Sequence, residues 1–232
     1  MKFEITPIAH IENDFTEKFG IPRQSGLADV RSRIIFEPEF RNADALRGIE
    51  GYSHLWLIWQ FSEAQGRVWT PTVRPPRLGG NVRMGVFASR SPFRPNSLGL
   101  SSVRLEGVEY DDAKGAVLIV SGADIMNGTP VFDIKPYLAY TDSHPDAKSG
   151  FALAQTEGTL SVDMPSELME LIPEDKRRPI MEILAQDPRP QYQNDSSRVY
   201  TMSYGGMEIS FQTDNKHLSV IRIERNDNNA NR

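Results

Sequence analysis

"YSHLWLIWQF", residues 52–61, is a run of aromatic and aliphatic side chains that starts after Gly51 and ends before Ser62 and Glu63. Read as an extended chain, it puts His54, Trp56, Ile58 and Gln60 on one face and Leu55, Leu57, Trp59 and Phe61 on the other. Apolar character on both faces marks a buried strand. Similar short β-type runs lie on either side of it: Phe3 to Ile11, Arg33 to Phe36, Arg83 to Ala88, Leu98 to Tyr110, Ala116 to Ser121 and Val131 to Ile134. Short strands at this spacing, punctuated by Pro and Gly, predict a barrel or a sandwich. One brief connector helix is expected at Ala43 to Gly48, with Asn42 as N-cap and Gly48 as its stop.

The texture changes after "YTDSHPDAKSGFA", residues 140–152, a polar stretch read as a linker. The resulting division is 1–144 for the β-rich unit and 151–226 for a small α+β unit, making the fold class mainly β with α+β. In the second unit "PSELMELIPEDKRRPIMEILAQ", residues 165–186, predicts one helix broken before Pro173 and another starting at Pro179. "SRVYTMSYGGMEISFQT", residues 197–213, predicts a hairpin around Gly205 and Gly206, followed by a last strand, Leu218 to Ile223. The terminal "RNDNNANR" reads as frayed.

Charge is distributed unevenly. The 232 residues carry a net charge of -5, yet between Glu63 and Glu106 there are seven arginines (Arg67, Arg74, Arg77, Arg83, Arg90, Arg94 and Arg104), no lysine and no carboxylate. Arginines at this density meet distant acids and water on a solvated surface, or they meet phosphate. No apolar run is long enough for a membrane span, and the first ten residues lack the pattern of a secretory signal, so the expectation is a cytoplasmic protein. With no cysteine, disulfides and thiolate chemistry are excluded. The four histidines, His10, His54, His144 and His217, show no metal-ligand spacing, and neither a G-x-G-x-x-G turn nor a P-loop is present. An ATPase, a standard dinucleotide fold and a zinc hydrolase are therefore disfavoured.

Three further stretches carry chemistry or ordinary structure. "FGIPRQSG", residues 19–26, is a basic loop stiffened by Pro22, and reads as a connector or as a site. His54 is a core histidine or lies at a strand mouth facing a ligand. In "SGADIMNGTPVFDIKPYL", residues 121–138, Asn127-Gly128 predicts a hairpin turn, and Asp133, Lys135 and Tyr137 recur with period two. That trio is either a structural ion pair with a packed tyrosine or a set for proton handling and base stacking.

"RPPRLGGNVRMGVFASRSPFRPNSLGL", residues 74–100, together with "PRQ", "YSHLW", "DIMNGTPVFDIKPYL" and "LAQDPRPQY", resembles the TsaA-like family in its bacterial TrmO branch. The resemblance spans nearly the whole chain. It implies an N-terminal β-barrel that binds S-adenosylmethionine without a Rossmann turn. The implied activity is transfer of its methyl group to N6 of threonylcarbamoyl-adenosine at tRNA position 37, next to the anticodon. Carried onto this chain, the implied donor pocket is Pro22, Arg23, Gln24, Ser53, His54, Arg90, Leu100, Ser121, Gly122, Ala123 and Asp124. The resemblance also implies a homodimer with the site near the subunit interface. No metal, DNA or membrane is expected in the reaction. On this reading Asp133, Lys135 and Tyr137 are the catalytic candidates, and Arg74, Arg77, Arg83 and Arg94 the RNA contacts. The alternatives are a non-catalytic RNA-binding barrel and a methyltransferase of the same fold acting on another substrate.

Overall fold

The computed structural model of the chain describes residues 3–226 except 65, 67, 76, 77, 79, 80, 156–158 and 190–194. Arg67, Arg77 and most of the terminal tail thus lie outside the described residues. Six strands close into an antiparallel barrel: β1 (Ala9–Glu12), β2 (Arg31–Phe36), β3 (His54–Gln60), β6 (Leu98–Asp111), β7 (Gly115–Ser121) and β8 (Pro130–Pro136). Their order around the barrel is β1-β2-β7-β6-β3-β8. A two-stranded ribbon, β4 (Thr72–Val73) and β5 (Met84–Gly85), stands outside it.

The face assignment for β3 holds. Leu55, Leu57 and Trp59 are buried in the barrel core with Ile11, Ile34, Val103 and Leu118, while His54, Trp56, Ile58 and Gln60 on the outer face are only half-buried. Each fully buried aliphatic side chain contributes about 1.5–3 kcal/mol relative to exposure. An irregularity between β3 and β8 pairs Ile58 with Asp133 but Trp59 with Val131, leaving Phe132 as an extra residue.

Four local expectations in the barrel unit require correction. The first strand begins at Ala9, not Phe3, because residues 3–7 are exposed and make no ladder. Of Arg83 to Ala88 only Met84–Gly85 pairs, and Val86–Ala88 turns into a 3-10 helix. Asn127-Gly128 is a turn but not a hairpin tip, since β7 pairs with β2 and β6 whereas β8 pairs with β1 and β3. Its hydrogen bonds go elsewhere: Asn127 N donates to Phe15 O at 2.9 Å and Gly128 N to Ile11 O at 2.8 Å. The connector at Ala43–Leu46 is a 3-10 helix, with Asn42 accepting Asp44 N as expected of its cap.

The second unit is a four-stranded sheet in the order β10-β11-β12-β9, with strands Tyr200–Tyr204, Met207–Asp214, His217–Arg225 and Ser161–Asp163 respectively. Only the edge strand β9 is parallel to its neighbour. The hairpin at Gly205 and Gly206 is observed, both residues having positive φ, +58° and +75°. α1 is Ala139–Asp142 and α2 is Ser166–Glu170. α3 runs from Glu174 to Ala185, so Pro173 rather than Pro179 sets its start; Pro173 is extended, and Glu174 and Asp175 place negative charge in the first turn.

The most consequential packing joins the two units. The loop between β1 and β2 contributes Phe15, Ala28 and Val30 to the core formed by Ile180, Ile183, Leu184, Met202 and Phe211. Phe15 meets Tyr204 edge-on, with ring centroids 5.2 Å apart. The barrel's longest early loop is thereby a structural part of the second sheet's core.

Candidate functional site

Loop 22–29 lies directly on the exit of β7. Gly26 N donates to Gly122 O at 2.8 Å, and Gly122 N to Val30 O at 3.1 Å. Both glycines are left-handed, and a Cβ at Gly122 would sit 3.3 Å from the Gly26 backbone, so this approach requires bare backbone. Beside it Gln24 Oε1 accepts a hydrogen bond from Arg90 Nη1.

Asp124 follows two residues after Gly122. Its carboxylate accepts Ser101 Oγ at 2.5 Å, and Ser101 in turn accepts Trp59 Nε1 at 2.9 Å. Burial pushes the Asp124 carboxyl up; the Ser101 hydrogen bond and the nearby Arg90 charge act in the opposite direction. The result is a carboxylate short of solvent and only partly compensated.

A cleft of about 320 Å³ opens next to this junction, lined by His54, Ser121 and Gly122 from the predicted set and by Leu27, Asp29, Ser102, Arg104, Arg178 and Glu182. Its charges interlock: Arg104 pairs with Asp29 at 3.2 Å and Glu106 at 2.7 Å, and Arg178 with Asp29 at 3.5 Å and Glu182 at 2.8 Å. Ser121 Oγ donates to Glu106 at 2.6 Å, the main cause holding that carboxyl below its usual range. Ser53 Oγ and His54 Nδ1 lie 3.0 Å apart. Asp29, Arg178 and Glu182 were not anticipated as neighbours of the site; α3 lies some 150 positions away in sequence and no local pattern marks the encounter.

The other predicted positions are distributed as follows. Pro22 and Arg23 line a smaller cavity of about 120 Å³ on the α3 side, with Ile183, Gln186 and Pro188. Ala123 is buried in the barrel core. Leu100 is 57% exposed on the outer face of β6, opposite Ile58 and beside exposed Leu98. Asp133 and Lys135 pair at 3.1 Å on the outer face of β8, and Asp133 Oδ1 accepts the Ile134 amide. Tyr137 packs instead beside His54 and Trp56, at ring-centroid distances of 6.1 and 5.5 Å, and Trp56 is the register partner of Lys135. The end of β8 and the cleft therefore share His54.

Among the described residues Arg74, Arg83, Arg90 and Arg94 form no carboxylate ion pair. Arg74, Arg83 and Arg90 are exposed, while Arg94 is half-buried and donates to Ser89 O at 3.0 Å, bracing its own loop. Arg77 lies outside the described residues.

Comparison with known proteins agrees with this architecture. The tRNA-methyltransferase O N-terminal domain matches residues 10–143 and the TrmO C-terminal domain residues 158–226. A tRNA (adenine(37)-N6)-methyltransferase of Escherichia coli is 38% identical over 232 residues, covering 96% of this chain and 98% of that protein. A Pseudomonas aeruginosa relative named as an S-adenosylmethionine-dependent methyltransferase is 43% identical over 201 residues, 83% of this chain and 84% of that one. The crystal structure of TrmO from Pseudomonas aeruginosa superposes with a TM-score of 0.78 at 34% identity, covering 97% of this chain and 98% of that one. Two domain matches, a relative aligned over nearly all of both chains and a superposition of the same extent lead to one conclusion: the chain belongs to the tRNA-methyltransferase O family.

Proposed function

We propose that this chain methylates N6 of the adenine at position 37 of tRNA, with S-adenosylmethionine as donor and threonylcarbamoyl-adenosine as the preferred form of that base. The observation that carries this reading is the seating of loop 22–29 on the exit of β7, through Gly26 on Gly122, with Gln24 bonded to Arg90, in a member of this family. The residues suit the donor. An under-solvated carboxylate at Asp124 gains from an approaching cation, the nearby Arg90 guanidinium suits a carboxylate tail, and Arg23 on the α3 side of the same loop offers a second guanidinium. When bound, the donor supplies an electrophilic methyl group on a sulfonium.

The protein's own tasks are then positioning, exclusion of water and handling of one proton. We assign the proton to Asp133, support of the base to Tyr137, and a contact with the threonyl carboxylate or a phosphate to Lys135. Units 1–144 and 151–226 act as one body through their shared core. The protein works in the cytoplasm as a homodimer. The exposed Leu98 and Leu100, on one face of β6, support a second copy as their cover. Among the described residues no helix is long and apolar enough to cross a membrane.

The test is direct. Calorimetry with S-adenosylmethionine and no RNA should give one binding isotherm, and nucleoside mass spectrometry of tRNA incubated with protein and donor should show one added methyl on the position-37 nucleoside. Binding of tRNA without donor heat or methylation identifies an RNA-binding module instead. Methylation at another position identifies a different substrate.

Unpaired arginines also predict a salt signature. The affinity for tRNA should fall steeply as salt rises, and Arg74→Ala should flatten the log-log slope by about one phosphate contact. A slope unchanged in Arg74→Ala removes the RNA from that face.

A further inference from the structure

The second unit holds the donor loop from behind at two points. At the first, Arg23 Nη2 donates to the main-chain oxygens of Asp187 at 2.7 Å and Arg189 at 3.2 Å. Those two carbonyls converge because the chain turns sharply: Asp187 has φ +50°, and its carboxylate accepts Arg189 Nε at 2.8 Å and Nη2 at 2.9 Å as a fork. Arg189 is itself buried, with its guanidinium 6.0 Å from the centroid of the Tyr200 ring. At the second point the amide of Asp29 donates to Glu182 Oε2 at 2.7 Å, and Arg178 bridges Glu182 and Asp29.

These contacts do more than glue two units together. They engage Arg23 through a single nitrogen, and among the described residues its Nε and Nη1 have no hydrogen-bond partner. A long flexible side chain is thereby ordered before any ligand arrives, with N–H groups to spare. Burial lowers the Arg23 pKa and the Asp187 carboxylate opposes that shift, so the same residue that shapes the turn also favours the charge it presents.

We infer that the Asp187–Arg189 turn is a positioning device for the methyl-donor loop, so that the C-terminal unit sets the donor affinity of a site built on the barrel. This rests on the reading of loop 22–24 as donor-binding. Asp187 and Arg189 are positioning residues and act through Arg23.

Asp187→Ala should weaken donor binding about tenfold by calorimetry without RNA, the loss expected when one charged side chain must be ordered by the ligand itself. Hydrogen exchange in residues 20–29 of the donor-free protein should rise while the barrel strands stay protected. The turnover number at saturating donor should remain near wild type. Asp187→Asn should recover most of the affinity, because Asn tolerates a left-handed backbone and can still accept a hydrogen bond from Arg189. Lys176→Ala cuts the Lys176–Asp14 pair, which joins the same units away from this loop, and should lower thermal stability with donor affinity unchanged.

Wild-type donor affinity in Asp187→Ala overturns the inference. So does an equal loss in Lys176→Ala, which means general loosening. If the wild type itself gives no heat with the donor, the functional reading fails. The exchange data then decide the clamp alone, and unchanged protection of 20–29 in Asp187→Ala overturns it.

Discussion

Asp133→Asn is expected to lower the turnover number for tRNA methylation by about a hundredfold or more, with donor affinity intact. N6 of the modified adenine is a weak nucleophile because its lone pair is delocalised into the ring and the carbamoyl carbonyl, so attack needs help with the departing proton. Asp133 stands on the outer face of β8 with Lys135 at 3.1 Å, and Tyr137 on the same strand end reaches His54 of the cleft. Asn preserves the shape and can still accept the Ile134 amide, so loss of fold is not the expected cause of a slow variant. Single-turnover assays at saturating tRNA, paired with donor calorimetry, separate the two quantities. Full turnover in Asp133→Asn returns the Asp133–Lys135 pair to a structural role.

Gly99→Ala should destabilise the fold by about 1–3 kcal/mol and weaken donor binding at the same time. A Cβ at Gly99 would lie 2.3 to 2.6 Å from three ring atoms of Trp59, far inside contact distance. The ring cannot easily retreat: Trp59 is 4% exposed, packs on Phe61 at 4.3 Å between centroids, and its Nε1 is bonded to Ser101. Ser101 in turn donates to Asp124, so a displaced indole disturbs the carboxylate assigned to the donor site. Urea unfolding reads the first effect and calorimetry the second. A Gly99→Ala protein as stable as wild type would show that the β3–β6 pair yields more than its packing indicates.

The residue pattern read well wherever the information is local. In β3, alternation alone separated Leu55, Leu57 and Trp59 from His54, Trp56 and Ile58, and the barrel core is made from the first group. The basic stretch is legible from charge counts alone, and among the described residues Arg74, Arg83 and Arg94 have no carboxylate ion pair while Arg90 acts on Asp124. Asn127-Gly128 misled because turn chemistry specifies a bend and says nothing about which strands it joins; here the bend is tied to Phe15 and Ile11. Pro179 misleads for a similar reason: it lies buried inside α3, a helix whose Ile180, Ile183 and Leu184 are fixed by the second unit's core.

Sequence by itself determined where most of the strands lie, which side of β3 is apolar, where positive charge is concentrated, and that Gly205 and Gly206 make a hairpin turn. The strand pattern left barrel and sandwich open and the family resemblance pointed to the barrel; only the tertiary structure decided the strand order around it, that Phe15, Ala28 and Val30 serve the second unit's core, and that Glu182 and the Asp187–Arg189 turn grip loop 22–29. The physical reason is range. Side-chain period and backbone preference act over a few neighbouring residues and leave a visible pattern, whereas contacts between residues 23 and 187 arise only when two cores pack together, and each partner looks ordinary until then.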